Sequence, residues 1–215
     1  MTRHDDLQLD RRQVAAYILA GGASWRMGAD KARLILDGTP VVRVLAARLS
    51  ACVSSVELVV KRSQERSDLG LPLLYDDADG RALVIGIRTA LTAPGPPWRF
   101  ILACDMPGVD AAVLRALWRT AQDAGASGSC PQRYDRQVPE PLPSLWHARL
   151  ALQMSAEWGM AAKSWVRHAG LAVWHVPESG SDWFANVNTR GEWERYRRRV
   201  EPTPSRESWD TKTRS

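Results

Sequence analysis

Three side chains stand where they could work on an anion: Arg26, Lys31 and Asp105. The first two lie in LAGGASWRMGADK, residues 19–31, directly after the apolar run VAAYI. Gly21 and Gly22 let the chain bend tightly and approach a bulky ligand, and their main-chain amides can bond a base edge or a phosphate. Arg26 can grip phosphate oxygens through two parallel bonds, and Lys31 adds a point charge. The loop is not a Walker A loop, because Gly28 is followed by Ala-Asp-Lys rather than Lys-[Ser/Thr], and it is not G-x-G-x-x-G. Glycines alone leave a structural turn open. The added Arg and Lys favour a phosphate.

Asp105 ends the apolar stretch WRFILAC and begins DMP. A carboxylate there is costly to desolvate unless a cation or donors meet it. Magnesium held by one or two carboxylates and substrate phosphates would satisfy it, and a helix cap or turn remains the bland reading. Asp76 and Asp77 are weaker candidates, since DDADG is also turn composition. His147 and His175 read as structural, and Ser24 lacks a partner that would make it a nucleophile. Together these residues describe a magnesium-dependent site for a polyphosphate, suited to transfer at phosphorus by positioning and charge neutralisation.

The elements that must hold them follow from the hydrophobic pattern. VAAYILA, SVELVVK, LPLLYDD and WRFILAC read as strands. PVVRVLAARLSAC reads as a helix with Val41, Leu45, Leu49 and Cys52 on one face. Asp37-Gly38 signals a tight turn. On propensity alone Gly86 weakens a helix over residues 82–92; only the family resemblance given below implies one there. Asp110 is an N-cap for a helix over AAVLRALWRTAQDA, which Gly125 stops. Pro131, Pro139, Pro141 and Pro143 argue against a regular central strand in their region. Helices over about 147–157 and 160–168, a strand LAVWHV and a last helix complete the chain. Alternation of strands and helices predicts an α/β, three-layer Rossmann-like fold with a mostly parallel central sheet and a single domain. Ligands of such a sheet bind beyond the carboxyl ends of its strands. Residues 1–13 are expected to be a flexible N-terminal arm and 200–215 a flexible C-terminal tail.

Composition fits that picture. The chain has 215 residues, 45% of them hydrophobic, enough for one sizeable core. Three cysteines, widely spaced, indicate neither a disulfide framework nor a zinc site and suit a reducing cytoplasm. No segment has the length and apolarity to span a bilayer, and no signal-peptide pattern opens the chain. The net charge is +5, and RGEWERYRRR, with five arginines and two glutamates, carries +3 of it. A solvated face of a C-terminal helix accounts for that charge, so neither nucleic acid nor membrane is an expected partner. The ten tryptophans are scattered. Trp158 and Trp165 are read as packing residues rather than partner contacts.

LAGGASWRMGADKARL resembles the signature L-A-[GA]-G-x-S-x-R-M-G-x-[DN]-K of the nucleotidyltransferase-A family, and within it the molybdenum cofactor guanylyltransferases. ACDMP is similar to that family's C-D-x-P metal motif. PEPLPSLWHARL, SWVRHAGLAVWHVP and FANVNTRGEWERY resemble its later segments in order, so residues 14–199 correspond to the nucleotidyltransferase domain. The resemblance implies transfer of GMP from GTP to the terminal phosphate of molybdenum-molybdopterin, with release of pyrophosphate and with Mg2+ as cofactor. It places Leu19, Ala20, Gly21 and Gly22 at the guanosine, Arg26 on the β and γ phosphates, and Lys31 on the phosphates during transfer. It places Asp76 near the nucleotide, Asp105 on the metal, and Asn186 and Asn188 where the family binds the pterin side or supports the site. An asparagine turn capping the last helix through Thr189 is the other reading of those two asparagines. A protein that inserts molybdenum or receives the finished cofactor is the partner it implies.

The sequence departs from the family at two places. Ala82-Leu83-Val84-Ile85-Gly86-Ile87 replaces the usual G-P-L-x-G-[IL], and Lys61 stands where many relatives have asparagine. The rival readings are a CTP-using or sugar-phosphate nucleotidyltransferase and a non-catalytic nucleotide- or pterin-binding paralogue. Retention of Lys31 and Asp105 speaks against the second.

Overall fold

The computed structural model describes residues 8–22, 30–64, 66–76, 83–153 and 161–201. Strand β1 (Val14–Leu19) is followed by a small hairpin, β2 (Ile35–Leu36) and β3 (Thr39–Pro40), and then by helix α1 (Val41–Leu49). β4 (Val56–Val60), β5 (Leu73–Tyr75), α2 (Leu83–Thr92), β6 (Trp98–Ala103) and α3 (Ala111–Asp123) come next. β7 (Gly128–Gln132), β8 (Ser144–His147), α4 (Leu150–Gln153), α5 (Ala162–His168), β9 (Ala172–His175) and α6 (Arg190–Val200) finish the fold.

Seven strands form one sheet in the order β5-β4-β1-β6-β8-β7-β9. β1 pairs in parallel with β4 on one side and β6 on the other, and only β8 runs against its neighbours. In both β1 and β6 the first five residues are buried, with no inside-outside alternation. That pattern is the mark of a sheet covered on both faces, and α2 packs on β1, β4, β5 and β6 while α3 packs on β7, β8 and β9. After β1 the chain moves outward to β4 and β5, then returns across β1 to β6. The switch point, where a ligand crevice opens, therefore lies at the carboxyl ends of β1 and β6.

Local chemistry accounts for most of the boundaries. Asp37 (φ 48°) and Gly38 (φ 70°) form the tight turn of the β2–β3 hairpin. Asp110 caps α3, its Oδ1 accepting the N–H groups of Ala112 at 2.8 Å and Val113 at 3.3 Å, a contact worth about 1 kcal/mol. Gly125 (φ 59°) ends the same helix. Gly86 sits inside α2 because a larger residue would crowd β1: a Cβ there would come within 3.1 Å of Leu19 Cδ2. Arg99, buried on β6, donates from Nε to Ala90 O at 3.2 Å and from NH2 to Ala93 O at 2.7 Å, fastening the end of α2 to the sheet. Trp146 and Trp165 are fully buried, so Trp165 is a packing residue; Trp158 lies outside the described residues.

Two expectations need correction. Pro131 does lie in a regular interior strand, β7, flanked by β8 and β9. The proline is tolerated because β7 pairs with β8 only through Gly128 and Ser129. Its carbonyl accepts the Glu140 N–H at 2.8 Å, so its missing donor faces a side with no ladder bond to lose. The residues expected to start a helix at 147 instead end β8, and the helix there is described only over Leu150–Gln153. A 3-10 helix at Glu178–Phe184 carries no hydrophobic repeat that announces it.

Candidate active site

The carboxyl ends of β1 and β6 bring three of the sequence-predicted residues into contact. Lys31 Nζ donates to Asp105 Oδ2 at 2.9 Å and to Asn188 Oδ1 at 2.8 Å. These residues come from the start, the middle and the end of the chain, and each is positioned by its own local device.

Lys31 opens a 3-10 turn, Lys31–Arg33, whose N-cap is Asp30. Asp30 Oδ1 accepts the Ala32 N–H at 3.1 Å, and Ala32 is fully buried. Arg33 binds Asp30 and forms a two-pronged pair with Asp68, at 3.0 Å from Nε and 2.6 Å from NH2. Asp105 follows β6 by two residues. The ladder between β1 and β6 runs on to that point, with the Cys104 N–H on Leu19 O at 3.1 Å. Burial, and then the negative charge of Asp105, push the Cys104 thiol up to about 12, so it is protonated and inert.

Asn188 is held from two sides. The preceding Val187 donates its N–H to the Asp105 carbonyl at 2.9 Å. Glu192 of α6 accepts the N–H groups of Asn188 at 2.8 Å and Thr189 at 2.9 Å, while Thr189 caps the helix in return. Those bonds, the Asn188 N–H first, hold the Glu192 carboxyl below its usual range. Thr189 caps the helix, and the Asn188 amide oxygen accepts from Lys31. Asn186, two residues earlier, is exposed.

A second group gathers one strand over. The Ala20 N–H continues the sheet onto Val59 O at 2.8 Å, and the Asp76 N–H does the same onto Val60 O at 2.8 Å. A Cβ on Gly21 would lie 3.4 Å from Asp76 Oδ2 and 3.4 Å from Lys61 Cγ, in ordinary contact with both. Among the described residues, a Cβ on Gly22 would meet nothing within 4 Å. Leu19 leans on Gly86 beneath them. The ends of β5 and β6 are three strand spacings apart, about 14 Å, which assigns Asp76 and Asp105 to separate groups. Arg26, Ser24, Asp77 and residues 81–82 lie outside the described residues.

Sequence reasoning overlooked Asp30, Arg66, Val187 and Glu192. Asp30 and Glu192 had legible signals, as an acidic residue at a helix start and as the third residue of a T-x-x-E box. Arg66 pairs with Asp30 across 36 positions and Val187 acts through its main chain; neither leaves a local pattern. His147 lies edge-on to Trp98 at 5.0 Å between ring centres, and burial lowers its pKa, a structural role as read. No helix among the described residues is long and apolar enough to cross a membrane.

Comparison with known proteins fixes the class. A family model described as a MobA-like NTP transferase domain matches residues 16–172. The chain is a nucleotidyltransferase. Within that class it belongs to the MobA-like NTP transferase family. A protein of Haloferax mediterranei named "Probable molybdenum cofactor guanylyltransferase" is 33% identical over 192 residues, covering 81% of this chain and 89% of its own. One from Pseudomonas paraeruginosa, named molybdenum cofactor guanylyltransferase, is 31% identical over 181 residues, covering 80% and 88%. In fold, the chain superposes on molybdopterin-guanine dinucleotide biosynthesis protein A from Archaeoglobus fulgidus with a TM-score of 0.68. The identity is 22%, with 86% of this chain and 97% of that one covered.

Proposed function

We propose that this enzyme transfers GMP from GTP to the terminal phosphate of molybdenum-molybdopterin, forming the guanine dinucleotide cofactor and pyrophosphate. The observation that carries the reading is the bridge from Lys31 Nζ to Asp105 Oδ2 and Asn188 Oδ1, set at the switch point of the sheet. Relatives named for this activity, matched along most of their length, support the choice of substrates.

Leu19, Ala20, Gly21 and Gly22 form the floor for the guanosine, with Asp76 at its edge. Arg26 and Lys31 take the phosphates. A phosphate oxygen of the pterin attacks the α-phosphorus in line, the bond to the β-phosphate oxygen breaks, and pyrophosphate leaves. The nucleophile is already ionised, so no general base is required. The ammonium of Lys31 acts on charge that grows at the phosphorus as the new bond forms, a contact stronger in the transition state than before it.

The family's use of a divalent metal fits the residues present. Asp105 and Asn188 offer two hard oxygens that already share one cation, the Lys31 ammonium, and oxygen donors are what magnesium takes. Asp105, with the Asn188 amide oxygen beside it, would hold the ion, and Asn186 lies on the acceptor side. When bound, the metal supplies charge neutralisation on the triphosphate. Lys31 then serves the phosphates.

The test is a pyrophosphate-release assay with molybdenum-molybdopterin, Mg2+ and each of GTP, CTP and ATP, with the dinucleotide product identified by mass. GTP turnover well above the others supports the reading. A clear CTP preference, or pyrophosphate release only with a sugar-phosphate acceptor, overturns it.

A further inference from the structure

Arg66 is only 3% exposed, an unusual setting for a guanidinium. Removing such a charge from water costs several kcal/mol unless a partner compensates. Its carboxylate partner is Asp30, with NH1 on Oδ1 at 2.8 Å, and its Nε is buried with no hydrogen bond. Replacing the whole pair by apolar residues would often be neutral or stabilising, whereas replacing Arg66 alone leaves Asp30 without its cation. The reason for a cation therefore lies in what Asp30 does.

Asp30 has its two carboxylate oxygens committed to three donors. Oδ1 takes Arg66 and the Ala32 N–H; Oδ2 takes Arg33. Lys31 lies between Asp30 and Ala32, so the residues on both sides of it are pinned. Without Arg66, Asp30 is free to turn towards solvent, where its side chain is already 24% exposed. The 3-10 turn and its ammonium would then lose their fixed position.

We infer that Arg66 is a positioning residue for Lys31: its ion pair with Asp30 locks the turn that aims the ammonium at Asp105 and Asn188. The inference rests on the proposed role of Lys31 at the phosphates. Misplacing a working group by about 1 Å can cost on the order of 10²-fold, and a loosened turn should cost part of that, roughly tenfold.

A double-mutant cycle tests it. Arg66→Met and Lys31→Ala are made singly and together, and Mg-GTP affinity by calorimetry and kcat/KM by pyrophosphate release are measured for all four proteins. The expected result is a loss of about tenfold in kcat/KM from Arg66→Met in the parent and less than about twofold in the Lys31→Ala background, the non-additivity of residues acting through one group. Arg66→Lys should recover part of the loss, and the melting temperature of each variant reports whether it folds. Equal losses in both backgrounds, or an Arg66→Met protein as active as the parent beside an impaired Lys31→Ala, overturn the inference and leave the role of Lys31 standing. A Lys31→Ala protein with parental affinity and turnover overturns the underlying reading of the site, and the inference with it.

Discussion

Gly108 and Asp182 touch main chain to main chain: a methyl group on Gly108 would overlap the Asp182 carbonyl oxygen, with the Trp183 Cα only 3.1 Å away. The contact seats the 3-10 helix Glu178–Phe184 against the turn that follows Asp105, and the same helix leads into Asn186 and Asn188. Gly108→Ala must push the two segments apart. The expected cost is about 1–3 kcal/mol of stability, typical of overpacking, read as a lower urea midpoint. A loss of turnover larger than the loss of folded protein should accompany it, because Asn188 moves with the displaced helix.

Lys31→Ala and Asp105→Ala should each lower kcat on the order of 10²-fold or more, the usual cost of one missing transition-state charge contact. Circular dichroism should stay unchanged, since both side chains are only partly buried, at 18% and 23% exposure. Near-parental pyrophosphate release from either variant would remove that residue from the mechanism.

Asn188→Ala and Glu192→Ala separate chemistry from scaffolding. The first deletes an acceptor for a cation and should reduce kcat roughly tenfold to a hundredfold, the worth of a hydrogen bond to a charged group, with little change in melting temperature. The second deletes half of the capping box and should lower the melting temperature. Glu192 is held below its ordinary range in the folded chain, so its stabilisation is complete above the unfolded carboxyl pKa and is lost as pH falls through the lower folded value. Thermal melts across the acid range should show the parent and Glu192→Ala converging at low pH.

Burial pushes both Cys104 and Cys130 from 9.0 to about 12. Iodoacetamide at pH 8 is expected to label Cys52, the half-buried one, and to reach the others only in denaturant. Between about pH 9 and pH 12 the unfolded chain gives up these protons while the folded chain keeps them, so stability declines across that window. Cys104→Ala and Cys130→Ala should each make the decline shallower in urea titrations.

How far the sequence alone reaches can be judged residue by residue. Strands β1, β4, β5, β6 and β9, the Asp110 cap, the Asp37-Gly38 turn and the placing of Lys31 and Asp105 at one end of the sheet were legible, because each rests on a local pattern or on the rule that strand ends carry ligands. Pro131 misled because the cost of a missing N–H depends on which side of the strand it faces, and that is decided by partners far along the chain. Arg66 was silent for a similar reason: an isolated arginine looks the same whether it is solvated or buried on a distant aspartate. The main-chain bond from Val187 to Asp105 uses no side chain at all and leaves nothing to read.

The trio of Lys31, Asp105 and Asn188 spans 157 positions, and its final member arrives with the segment just before α6. A growing polypeptide can pair β1 with β4 and β6 long before that segment exists. Until it docks, the lysine and the aspartate have each other but lack the amide that completes the cradle. On the proposed mechanism, a chain cut short before residue 188 would pair much of its sheet yet lack the amide that Lys31 meets.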